Sequence, residues 1–226
     1  MSFATASKKA EDVKQSSSNY INKSGIYPVR IIAPIVNVSN EGSTTVEMYV
    51  DYNGQKQDIY GNLRVTNKNG ERNEIGSKIF NQLLIINGID EVADPVEEEL
   101  PVGKKGAMKT CAVLQDLVDI DVYMQVQMEY SAWNNNIQEK KIIRGFYRDT
   151  DKATAEEIVN DADKGKTYEK NLEEYATKVV YKDGLDEDAI KNWIKSNRPK
   201  GTATYAGSSE APSFGERKGF GSKKAS

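Results

Sequence analysis

Residues 25–148 carry five segments of strand-type patterning, with a single helical stretch between the third and the fourth. That order constrains the fold more than any other property, because consecutive strands joined by short turns pair with one another and the helix must cover part of the sheet they form. The first segment, residues 26–36, is rich in β-branched residues but holds Pro28 and Pro34, which suits an edge or a bent strand. In the second, Val46, Met48 and Val50 alternate with Glu47, Tyr49 and Asp51, the period of a half-buried strand. Asn53-Gly54 supplies the two positive-φ positions of a type I′ hairpin turn, and Ile59, Gly61, Leu63 and Val65 alternate on the return. The clearest strand is residues 118–130, where Val118, Ile120, Val122, Met124, Val126, Met128 and Tyr130 alternate without a break with polar residues and Tyr123. Trp133-Asn134-Asn135-Asn136 forms its exit turn, and residues 140–148 return as the fifth strand.

The helix is predicted to start at Ser77 as N-cap, to present Phe80, Leu83, Leu84 and Asn87 on one face, and to stop at Gly88. The acidic residues 91–99, ending at Pro101, read as a solvated loop. This strand plan is that of the oligonucleotide/oligosaccharide-binding (OB) fold, so the expectation is a mainly β chain: a five-stranded OB-fold barrel with a helix between strands 3 and 4. Residues 1–24 read as a flexible N-terminal arm with a short helix near residues 10–15, and residues 25–150 as the barrel. A helical appendage over residues 151–197 is predicted from three signals: the capping-box spacing of Thr154 and Glu157, the stripe Tyr168, Leu172, Tyr175, Val179, and Asp186 capping a helix stapled by Leu185 and Ile190. Residues 198–226, dominated by Gly, Ser, Ala and Lys, read as a disordered basic tail.

Catalytic chemistry finds little to work with. The chain has no histidine, which excludes Ser-His-Asp and Cys-His arrangements and removes the usual imidazole zinc ligands. Cys111 is alone, so no internal disulfide is available, in agreement with a reducing compartment; its expected role is that of a small buried residue. Asp119, Asp121 and Glu129 share a strand face, but alternating acids of this kind are more often a solvated face than a metal site. There is no phosphate loop and no dinucleotide fingerprint. The expectation is a protein that is not an enzyme and takes no cofactor or metal. No apolar run approaches the ~18 residues needed to cross a bilayer, and residues 1–9 lack a secretory apolar stretch, so no membrane partner and a cytoplasmic setting are expected.

Binding is the better-supported reading. The net charge of −3 hides an uneven distribution, with basic ends and acidity concentrated in residues 90–99 and 149–188. Solvated lysines at chain ends give the same pattern, and both readings stay open. If the apolar residues face inward, Tyr49, Tyr60, Asn62 and Arg64 face outward on the second and third strands, with Tyr52 at the hairpin end. Tyr123, Trp133, Lys140, Lys141, Arg144, Phe146, Tyr147 and Arg148 form a second cluster on the last hairpin. Single-stranded nucleic acid needs aromatic faces for its bases and Lys or Arg along its backbone, and both clusters mix these types. Aromatics in strands also serve as cross-strand packing partners, which is the competing reading for each of them.

The run Lys23-Ser24-Gly25-Ile26-Tyr27-Pro28-Val29-Arg30-Ile31, the turn Ser39-Asn40-Glu41-Gly42-Ser43 leading into Val46-Glu47-Met48, the loop Asn67-Lys68-Asn69-Gly70-Glu71 and the helix start from Gly76 resemble the single-stranded DNA-binding proteins of tailed bacteriophages. The resemblance covers residues 23–148. It implies a barrel that coats exposed single-stranded DNA, without strong sequence preference, in phage DNA replication and recombination in the host cytoplasm. Many replicative single-strand binders end in an acidic tail that recruits partners, whereas residues 216–226 here are basic. The tail is therefore a candidate contact for DNA, or for phage or host replication, recombination or transcription proteins. The alternative is a non-catalytic phage structural or assembly factor whose barrel binds protein.

Overall fold

The computed structural model describes residues 19–102, 106–134, 136–175 and 177–197, with residues 60–62 described by their backbone only. The elements are β1 (Gly25–Val38), β2 (Thr44–Tyr52), β3 (Gln55–Thr66), α1 (Glu74–Ile86), β4 (Val96–Val102), β5 (Ala107–Val113), β6 (Ile120–Trp133), β7 (Asn136–Arg148), α2 (Ala155–Val159), α3 (Lys166–Tyr175), β8 (Val180–Tyr181) and α4 (Glu187–Asn197), with one 3-10 turn at Gln115–Leu117. The protein is mainly β, and one open, almost wholly antiparallel sheet organises it. β1 is the hub. Along one edge it pairs with β2; along the other its first half, Gly25 to Ile31, pairs with β6 and its end, Ile35 and Val36, pairs with β5. A register shift between Ile31 and Ala33 bends the strand between these partners, as its two prolines lead one to expect.

The β2–β3 turn forms as the sequence predicts, with Asn53 at φ 53° and Gly54 at φ 79°. The core lies under this sheet, where Val46, Met48 and Val50 of β2 meet Ile59 and Leu63 of β3 and Val122, Met124 and Val126 of β6. α1 packs against both β3 and β7, closing over the gap between the sheet's edge strands, and inserts Ile79, Leu83 and Ile86. Its N-cap is Asn73 rather than Ser77: the Asn73 side chain accepts from the Gly76 N–H at 3.0 Å, while the Ser77 hydroxyl donates to the Val65 carbonyl at 2.7 Å. Gly88, at φ 66°, ends the helix as expected.

Two further expectations differ from the structure. The acidic stretch is a loop only over residues 91–95: from Val96 it becomes β4, which pairs with β5 at every position from Val96↔Val113 to Val102↔Ala107, and Val102, Cys111 and Val113 are buried. Its alternation of Glu98, Leu100 and Val102 on the inward side was hidden by the neighbouring acids. The chain is also already structured before Gly25. Ile21 is fully buried in the core; its N–H donates to Gln57 Oε1 at 2.9 Å, and Gln57 Nε2 donates to the Asn19 carbonyl at 3.1 Å. The short helix expected near residues 10–15 and the tail over 198–226 lie outside the described residues.

Helices start where the caps place them, but the stripe is cut short: α3 ends at Tyr175, Val179 lies beyond it, and Val180–Tyr181 form β8, which pairs with β6. Thr154 and Glu157 make the full capping box, and the Glu157 carboxylate also accepts from the Gly165 and Thr167 N–H groups, tying the start of α3 to α2. Tyr168 of α3 packs edge-on against Tyr147 and Tyr123, at 5.3 and 5.4 Å between centroids. Asp186 caps α4, whose Ile190 sits with Leu185 against Met128 and Tyr130. No helix among the described residues is long and apolar enough to cross a membrane.

Candidate nucleic-acid interface

The β6–β7 hairpin is longer than the strand it leans on. β1 begins opposite Val126, so the remainder of β6 and its partner residues of β7 project beyond it. One face of this projection carries Met128 and Tyr130 and is covered by Ile190 and Trp193 of α4. By the alternation of a strand, Trp133 and Lys140 belong to the opposite face, Lys140 standing across from Glu129. Trp133 is 65% exposed, and Lys140 and Arg144 are exposed. Arg144 is the extra residue of a bulge, between Ile143 (opposite Val126) and Gly145 (opposite Gln125), and its Nε donates to Gln127 Oε1 at 2.7 Å. Glu129, the acid paired across from Lys140, is bound to Lys182 at 2.8 Å. The face therefore offers one aromatic surface and two cations about 13 Å apart along a strand fixed by its ladder.

That bulge decides the fate of the rest of the second cluster. One additional residue flips the side-chain phase, so Phe146 points into the core beside Ile143 at 2% exposure instead of outward. Lys141 belongs to the other face and reaches toward β3, its Nζ 3.5 Å from Gln57 Oε1. Tyr123 is half-buried against Tyr168, with Lys152 Nζ 4.1 Å from its ring centroid, so its faces are already occupied. Tyr147 is buried, its hydroxyl bonded to Gln125 and Asn171. Arg148 is clamped two-pronged to Asp151 at 2.8 and 2.5 Å, a pairing that draws the Asp151 carboxyl down to about 2.

The β2–β3 cluster changes most. Tyr49 is buried beneath the β4–β5 hairpin, with its hydroxyl 3.3 Å from the Pro101 carbonyl and its ionisation pushed up by burial. Tyr52 is half-buried, edge-on to Tyr27 at 5.3 Å. Arg64 is exposed, while the Tyr60 side chain lies outside the described residues. The outward side of these strands also carries Glu47, Asp51 and Asp58; burial and then Asp58 hold the Glu47 carboxyl above its ordinary range. The structure thus brings Trp133, Lys140 and Arg144 together, leaves Arg64 apart, and withdraws Tyr49, Tyr52, Tyr123, Phe146 and Arg148 into packing or ion pairs.

The acids that might have held a metal do not converge. Asp121 forms a two-pronged pair with Arg30 at 3.0 and 2.8 Å, Glu129 is held by Lys182, and Asp119 sits in a turn at φ 60°. No cluster suited to a metal ion occurs among the described residues. Cys111 is a free, buried thiol, raised by burial from its ordinary value. No protein-family model matches the chain, and no curated protein matches it.

Proposed function

We propose that this protein is a non-catalytic single-stranded DNA-binding protein that coats exposed strands without strong sequence preference during phage DNA replication and recombination, in the cytoplasm of the host. The observation that carries the reading is the exposed Trp133–Lys140–Arg144 side of the β6–β7 hairpin, running from Arg144 at its root to Trp133 near its tip, with α4 sealing the opposite side of the projecting part. A stacked base is worth about 1–3 kcal/mol and cations supply the sequence-independent remainder, so a face of this composition suits a strand of any sequence. The strand order β3-β2-β1-β6-β7, with α1 over the gap between β3 and β7, supports a five-stranded OB-type barrel as the scaffold. The gap itself is bridged by side chains, with Ile21, Gln57 and Lys141 meeting there. Single-stranded DNA is accordingly proposed to follow the β6–β7 hairpin rather than the acidic outward side of β2 and β3.

Titrating the protein with oligothymidine at low salt tests this. Tryptophan fluorescence should quench as bases stack on Trp133, in step with a rise in the anisotropy of a labelled oligomer. If neither signal moves, the DNA reading is wrong.

A further inference from the structure

A cavity of about 360 Å³ opens between the β4–β5 hairpin and the outward side of β1, β2 and β3. Glu47, Asp58 and Glu97 line it with Lys109 as the opposing charge, and Val102 and Cys111 contribute apolar wall. Among the described lining residues the carboxylates of Glu47, Asp58 and Glu97 outnumber the Lys109 ammonium, which disfavours phosphates and favours a cationic occupant, while the apolar wall favours one that also carries rings or aliphatic stems.

The chain itself contains such a segment. Between Phe214 and Lys224 lie Arg217, Lys218, Lys223 and Lys224 together with Phe214 and Phe220, against a single acid, Glu216. We infer that this basic, aromatic segment of the chain's own C-terminal region docks in the acidic cavity beside the β4–β5 hairpin. The span allows it. Ile35 at the cavity and Tyr130 beside α4 are separated by roughly 45 Å of strand at ~3.3 Å per residue. From Asn197, at the end of α4, the residues leading to Phe214 extend to roughly 55 Å. Burial first, and then like-charge repulsion from Asp58, hold the Glu47 carboxyl in the protonated direction, and a cation seated beside it offsets the second of these. The inference is independent of DNA binding, and it assigns the tail to the protein's own surface rather than to phosphates.

A photo-cross-linking residue placed at Phe220 of the full chain, irradiated at low micromolar concentration without DNA, reads the contact directly. Adducts should map to the cavity wall around Val102 and Cys111, within monomers. Their yield should fall at least about fivefold in the isosteric double variant Glu47→Gln, Asp58→Asn. Adducts on other surfaces, adducts confined to dimers, or a yield unchanged by the double variant would overturn the inference. A second measurement leaves the folded region untouched: with Arg217, Lys218, Lys223 and Lys224 all changed to Gln, the Cys111 thiol should react severalfold faster with a disulfide reagent. An unchanged rate counts against docking. Neither readout involves oligothymidine, so failure here is distinct from failure of the DNA reading.

Discussion

Replacing Gly76 by Ala sets two physical effects of opposite sign against each other. Gly76 lies in the first turn of α1, where a glycine in a helix ordinarily costs about 1 kcal/mol relative to Ala, so propensity alone makes Gly76→Ala stabilising. The structure says otherwise. A Cβ at this position would stand 2.1 Å from the Arg64 carbonyl oxygen and 2.7 Å from its carbonyl carbon and nitrogen, all backbone atoms of β3. Ordinary van der Waals contact begins at 3.4 Å, so α1 must retreat by more than about 1 Å, loosening Ile79, Leu83 and Ile86 from the core together. Overpacking of this kind costs about 1–3 kcal/mol. Taking its upper end, because backbone rather than a flexible side chain is struck, and subtracting the propensity gain leaves a net loss of about 2 kcal/mol. Urea unfolding followed by circular dichroism should show the midpoint falling by about 1 M, for a slope of about 2 kcal/mol/M. Gly88→Ala is the control: it has open space but φ 66°, so it should lose about 1 kcal/mol for conformational reasons only. A Gly76→Ala midpoint equal to or above wild type would refute the seating of α1 on β3.

Other expectations follow from the same contacts. Trp133→Ala should weaken oligothymidine binding roughly tenfold with an unchanged urea midpoint, whereas Phe146→Ala should lose about 3–5 kcal/mol of stability while leaving affinity per folded molecule alone; the reverse pattern would exchange their roles. Ile21→Ala should cost about 3 kcal/mol by urea unfolding, since the side chain is fully buried, and an unchanged midpoint would return residues 19–24 to a loose arm. Asp151 has a folded pKa below its ordinary 3.8, so its ion pair with Arg148 contributes stability above that value and loses it as pH falls toward about 2. Carboxyl-carbon NMR should place its titration near 2, and a midpoint near 4 would show the pair is not formed.

Much of the scaffold was legible because short-range rules govern it. Asn53-Gly54, Gly88, the Thr154–Glu157 box and the Asp186 cap act within a few residues, and each formed as read. Residues 118–130 announced a strand by unbroken alternation. Three features were hidden, each for its own reason. The bulge at Arg144 leaves no mark in the alternation, yet it alone sends Phe146 into the core. β4 was obscured because three successive glutamates outweigh the Leu100–Val102 period, and with β4 missed nothing in the sequence could show that Tyr49 would be roofed over. Ile21 is a single apolar residue in a polar stretch, whose burial depends on a gap between β3 and β7 that exists only once the sheet has formed. Site residues depend on such long-range geometry more than strands do: the five expected strand segments formed within a larger open sheet, with the β4–β5 hairpin added between α1 and β6, while Tyr49, Tyr52, Tyr123 and Phe146 were drawn out of the aromatic set.

The central claim is that Lys140 and Arg144 sit on the path of single-stranded DNA. Anisotropy titrations of labelled oligothymidine from 50 to 300 mM salt, for wild type and for Lys140→Gln, Arg144→Gln together, test it most directly. Each phosphate neutralised contributes about −0.7 to the slope of log affinity against log salt on a single strand. The account predicts that wild type binds with a log-linear salt dependence and that the double variant's slope is shallower by roughly 1.4, with a loss of stability of no more than about 1–3 kcal/mol from the broken Arg144–Gln127 hydrogen bond. No binding at 50 mM salt, or two identical slopes, would contradict it.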